Sequence, residues 1–115
     1  MKVSKETLEF HKNCLIIDLH VDTLLVNRLF GYNLTRRHTT YLPRGMFFFH
    51  GDAPRFRMGN VGGVFLGLVP KPFGRNEKHM NTMIDTAEET CRSAAQLCTM
   101  ARSAEDILAA WKEKK

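Results

Sequence analysis

Two short apolar runs, 15–22 and 61–69, most constrain what this 115-residue chain can fold into. The first reads LIIDLHVD. The second reads VGGVFLGLV and stops at Pro70. Runs this short, apolar and bounded by turn residues read as buried strands of a parallel sheet covered on both faces. Gly62, Gly63 and Gly67 in the second run point to a close backbone approach or a tight barrel interior. Two such strands joined by a long excursion and followed by helices indicate α/β organisation. Two strands alone leave open edges and cannot close a core, so the expectation is a piece of a larger sheet.

The remaining elements fall around these strands. Ser4 is placed to cap a helix over 5–12 that would bury Leu8 and Phe10. Residues 23–60 show no clear period and read as a long loop. Its turn signals are Gly31-Tyr-Asn33, Pro43-Arg-Gly45 and Gly51-Asp-Ala-Pro54, with an apolar patch from Met46 to Phe49. A connection of that length in a compact unit is more often functional than idle. Over 77–101, Met80, Met83, Ile84, Ala87, Cys91, Ala94, Cys98 and Ala101 form a helical stripe, read as core packing. Ser103, with Asp106 three residues on, is a weak form of the capping box. It opens a helix over 104–115 that buries Ile107, Leu108 and Trp111.

Charge and cysteine content narrow the functional classes. The net charge of +5 comes almost entirely from residues 28–60, which hold six Arg against one Asp. This segment reads as a solvated or substrate-facing loop. The alternative is a basic nucleic-acid-binding module with Phe47, Phe48 and Phe49 as stacking partners, for which no RNP, KH or helix-turn-helix pattern is present. Cys14, Cys91 and Cys98 are an odd set without CxxC, which argues against a disulfide framework or a zinc finger and for core thiols. No run approaches the roughly 18 apolar residues of a membrane span. MKVSKETLEFHKN lacks a signal-peptide core, so the expected location is the cytoplasm. Membrane anchoring of a longer product stays open.

The first strand carries three charges on alternate positions. Ile16, Asp18, His20 and Asp22 share one face, and Leu15, Ile17, Leu19 and Val21 share the other, which would pack under helices. The polar residues gather toward the C-terminal end, where α/β sheets and barrels bind ligands and metals. An imidazole and a carboxylate one residue apart, His20 and Asp22, can both point at one divalent ion. Asp18, deeper on that face, would orient a ligand or a neighbouring strand. An H-x-D alone is equally consistent with a hydrogen-bonded buried network or the exposed end of an edge strand.

IIDLHVDTLL resembles the opening of the peptidase M19 family, the zinc-dependent membrane (renal) dipeptidases, whose first barrel strand carries a D-x-H-x-D/N signature. The block HGDAPRFRMGNVGGVFLGLVP, from His50 to Pro70, is similar to that family's next segment, an Asp-x-Pro-Arg run before a Gly-Gly-Val strand ending in Pro. The long helix and the SAEDI helix start follow in the family's order, so the resemblance spans nearly the whole chain. It implies the N-terminal portion of a (β/α)8 TIM-type barrel of the metal-dependent hydrolase superfamily, commonly dimeric. It further implies hydrolysis of dipeptides by a metal-activated water at a binuclear zinc site, of which His20 and Asp22 would be two ligands.

The family's bridging glutamate, later histidine ligands and catalytic acid/base have no counterpart here, and His11, His38, His50 and His79 are not at matching positions. The chain alone is therefore expected to lack dipeptidase activity and to need the remainder of the barrel. A truncated non-catalytic binding chain, or pseudoenzyme, is the alternative.

Overall fold

A computed structural model describes residues 3–39, 51–70 and 76–113. Among the described residues it is a small α/β unit with two parallel strands and five helices. In chain order these are α1 (Lys5–Lys12), β1 (Ile16–Val21), α2 (Thr23–Phe30), α3 (Ala53–Met58), β2 (Val61–Leu66), α4 (Asn76–Ser93) and α5 (Ala104–Lys112). The expected apolar patch at 46–49 and the turn at 43–45 lie outside the described residues, as do parts of the turn after Pro70 and the last two residues of the expected terminal helix.

The strands pair in parallel, Ile16 opposite Val61, Ile17 opposite Gly63, Asp18 opposite Val64 and Val21 opposite Leu66. The register shifts between Ile16 and Ile17 and again between Asp18 and Val21. Both strands are shorter than expected, because each chain segment turns away at its C-terminal end. Asn60, in the left-handed region at φ 55°, immediately precedes β2. Its Nδ2 donates to the His11 and Cys14 carbonyls at 2.6 and 2.9 Å, tying the end of α1 to the sheet.

The long connection is not featureless. Residues 23–30 form α2, which ends at Gly31 in the left-handed conformation (φ 65°) that a helix C-terminus commonly takes. Residues 53–58 form α3, opened by the Asp52 side chain accepting from the Arg55 amide, with proline in the first turn. The core then forms between α2, the segment after it and α4. Leu24, Tyr32, Leu34, Met83 and Ala87 are buried together, with Val26, Leu66 and Leu68 packed against them.

On α4 the buried positions are His79, Met83 and Ala87, so the expected stripe is borne out in part: Ala94 beyond the helix is also buried, Met80, Cys91 and Cys98 are half-buried, and Ile84 and Ala101 are exposed. The helix stops at Ser93 rather than continuing to 101. The Thr90 and Ser93 hydroxyls bond carbonyls of the last turns at 2.7 and 3.1 Å, a competition that weakens a helix end. The capping box at Ser103 is complete, its Oγ accepting from the Asp106 amide and Asp106 accepting from the Ser103 amide. α5 lies on β2, where Gly62 leaves room for Trp111. A Cβ at Gly62 would lie 2.4 Å from Leu15 Cδ1 and 2.7 Å from Trp111 Cδ1.

Several side chains expected to be buried are exposed. On α1, Leu8 and Phe10 face solvent, as does Leu108 on α5. On the apolar face of β1, Ile17 is 39% and Leu19 73% exposed, because none of the described helices covers that part of the sheet. Phe65 on β2 is also open. Cys91 and Cys98 are half-buried, Cys98 lying beyond the helix rather than on its face. None of the helices over the described residues is long and apolar enough to cross a membrane.

Candidate metal centre

The end of β1 brings His20 and Asp22 together. His20 Nε2 lies 3.2 Å from Asp22 Oδ1, and both side chains reach solvent (73% and 47% exposed). Strand alternation alone would set the two side chains side by side without contact. Three local features close the gap. The register shift after Asp18 turns the strand end. Asp18 Oδ1 accepts the His20 amide at 3.0 Å, which fixes the backbone beneath the imidazole. Asp22 occupies the N-cap position of α2 but makes no side-chain bond to that helix, so its carboxylate is free to turn toward His20.

The end of β2 supplies the floor. The Gly67 amide donates to the Val21 carbonyl at 2.9 Å. A Cβ on Gly67 would sit 2.4 Å from Asp22 Oδ1 and 3.3 Å from His20 Cε1. Only glycine therefore leaves the carboxylate and imidazole where they are.

The donor separation suits a shared ion. Two ligands each about 2.1 Å from a zinc ion stand about 3.0–3.4 Å apart, for angles from octahedral to tetrahedral. The observed 3.2 Å falls inside that interval. The residues thus fit one part of a metal shell by donor type, spacing and room. Asp18, expected to orient a ligand or a neighbouring strand, bonds the main-chain amide of His20 and not its ring.

Among the described residues, no group of three or more His, Cys, Asp or Glu side chains forms a metal-holding cluster. The other described histidines have different roles. His38 Nε2 bonds the Asn33 carbonyl at 2.8 Å and its ring stacks on Tyr32 at a 4.1 Å centroid distance. His79 is buried, with Nε2 2.9 Å from both Arg28 Nη1 and the Val69 carbonyl oxygen. His50 lies outside the described residues.

A second polar cluster escaped the sequence reading. Asp52 is fully buried. Its carboxylate accepts from the Arg55 amide (2.9 Å) and Arg55 Nε (2.7 Å), the His38 amide (3.0 Å) and the Tyr32 hydroxyl (3.3 Å). Arg55 Nη2 also donates to the Tyr32 hydroxyl at 2.9 Å. Burial, and then the Asp52 charge, push the Tyr32 phenol above its ordinary pKa. This cluster pins the Asp-x-x-Arg turn of α3 to the segment after α2, and through it positions β2. Asp52 three residues before an arginine, with a proline between, was the available signal. Arg28 and Arg57 of the basic segment are likewise engaged, Arg57 Nη1 donating to the Gln96 carbonyl at 3.4 Å.

Comparisons with protein-family models, curated proteins and solved structures found no match to this chain.

Proposed function

We propose that this chain is the opening portion of a zinc-dependent dipeptidase of the renal type, with His20 and Asp22 as two of its metal ligands. The observation that carries the reading is the 3.2 Å approach of His20 Nε2 to Asp22 Oδ1 at the C-terminal end of a parallel strand. Bound zinc would polarise the substrate carbonyl and lower the pKa of a water so that it could attack as hydroxide. The chain's own residues hold and aim the donors. Asp18 fixes the His20 backbone, and the bare Gly67 leaves room for the Asp22 carboxylate.

The parallel β1–β2 pair, with α2 and α3 in the crossover and α4 and α5 after it, is consistent with the first strands of a (β/α)8 barrel. In that reading the exposed Ile17, Leu19 and Phe65 are surface that further strands and helices would cover. Dipeptides are the proposed substrate class, and further metal ligands would come from outside the described residues. The 115-residue chain by itself is then inactive toward dipeptides.

Equilibrium dialysis against zinc tests the assignment. The wild-type chain should retain metal, and His20→Ala and Asp22→Ala should each weaken retention by at least about tenfold, the scale on which even supporting residues act. Equal retention by all three proteins would refute it.

A further inference from the structure

His20 and Asp22 offer two donors 3.2 Å apart on side chains that are 73% and 47% exposed. A zinc ion held by protein alone takes four donors, and one that keeps a water takes three. Among the described residues, no third His, Cys, Asp or Glu side chain joins this pair. Of all the residues of those four types in the chain, His50 alone lies outside the described residues. The pair is thus half of a shell, open enough to solvent for an equal half to approach. We propose that one zinc ion joins two copies of this chain, each contributing His20 Nε2 and an Asp22 carboxylate oxygen. The inference rests on the reading of these residues as zinc ligands. It names the partner that completes the shell when the 115-residue chain is on its own.

The shell balances in number and charge. Two imidazoles and two carboxylates make four ligands of the types zinc takes, and the two carboxylates cancel the charge of the ion. Each half is already set by its own chain. Asp18 Oδ1 holds the His20 amide at 3.0 Å, Asp22 makes no side-chain bond to α2, and Gly67 leaves the space beside both donors open. A twofold axis through the ion presents the same pair from each copy, the isologous arrangement usual in homodimers. The net charge of +5 on each copy opposes their approach, so the pairing depends on the ion. Association through the exposed Leu19 and Phe65 would instead be indifferent to zinc.

Sedimentation equilibrium of the full chain, first in EDTA and then with increasing zinc, tests the pairing, with bound zinc measured on the same samples. The expected result is a 13.2 kDa species in EDTA that doubles in mass at half an equivalent of zinc. One zinc should be bound per two chains, and EDTA should reverse the change. His20→Ala and Asp22→Ala should stay monomeric under the same conditions, and His50→Ala should pair as wild type does. A wild-type monomer that binds one zinc per chain, and loses it in His20→Ala, would overturn the pairing and leave the ligand assignment standing. Wild-type protein that binds no zinc would overturn both, as would variants at His20 and Asp22 that bind and pair like wild type. A mass already doubled in EDTA and unchanged by zinc, or pairing lost in His50→Ala, would overturn the pairing. Should a variant fail to fold, X-ray absorption of the zinc-loaded wild type decides. Two imidazole and two oxygen ligands are expected, and a shell with a single imidazole would overturn the proposal.

Discussion

The Asp22 carboxylate sits at the N-terminus of α2 yet caps none of its amides, and its Oδ1 instead lies 3.2 Å from His20 Nε2. A carboxylate at an N-cap is ordinarily drawn to the free helix amides. Forgoing those bonds leaves the Asp22 carboxylate in direct contact with the His20 imidazole. Asp22 keeps the favourable charge placement at the helix N-terminus, while its oxygens remain available to a cation.

Gly67→Ala probes this arrangement from the opposite strand. The added Cβ would fall 2.4 Å from Asp22 Oδ1, and the half-exposed carboxylate can rotate away into solvent. The chain should therefore stay folded, while zinc retention falls about tenfold, equivalent to about 1.4 kcal/mol. Circular dichroism and zinc dialysis on the same sample check both halves of the expectation.

Gly62→Ala should behave in the opposite way. Its Cβ meets Leu15 and Trp111, which hold α5 against the sheet. Overpacking of this kind costs about 1–3 kcal/mol. Urea unfolding should show the loss, and the zinc response of His20 should be unchanged.

Asp52→Ala removes a buried carboxylate that satisfies the Arg55 amide and guanidinium, the His38 amide and the Tyr32 hydroxyl. Taking the carboxylate away from the Arg55 guanidinium, at a site only 18% exposed, should destabilise the chain by about 3 kcal/mol. Denaturant titration measures it, and Arg55→Met combined with Asp52→Ala should recover part of the loss.

Tyr32 gives a pH signature. Its phenol is pushed up by burial and by Asp52, so the fold favours the neutral form. That contribution is fully present below the ordinary tyrosine pKa of about 10 and is lost as pH rises through the higher folded value. Unfolding free energy should therefore fall as pH climbs past about 10, and Tyr32→Phe should remove that component of the slope.

The α/β organisation, the two strands, the long amphipathic helix and the Ser4 and Ser103 caps were legible because each rests on local periodicity or capping chemistry. α2 was also written in the sequence, as Asp22 before Thr23-Leu-Leu-Val and Gly31 after Phe30. Reading 23–60 as one long loop without a period hid it. α3 was missed because Asp52-Ala-Pro54 serves equally as a turn or as a helix start, and only the tertiary bonds to Tyr32 and His38 decide between them. His20 and Asp22 were legible from alternation. The closeness of Gly67 was not, since it depends on how far β2 runs past Val21.

The claim that His20 and Asp22 bind one ion is tested most directly by zinc titration of the full chain, followed by nitrogen-edited NMR of the imidazole rings. The predicted result is a zinc-dependent shift of His20 Nε2 that disappears in Asp22→Ala. A His20 ring that does not respond, or one that responds equally without the Asp22 carboxylate, would contradict it.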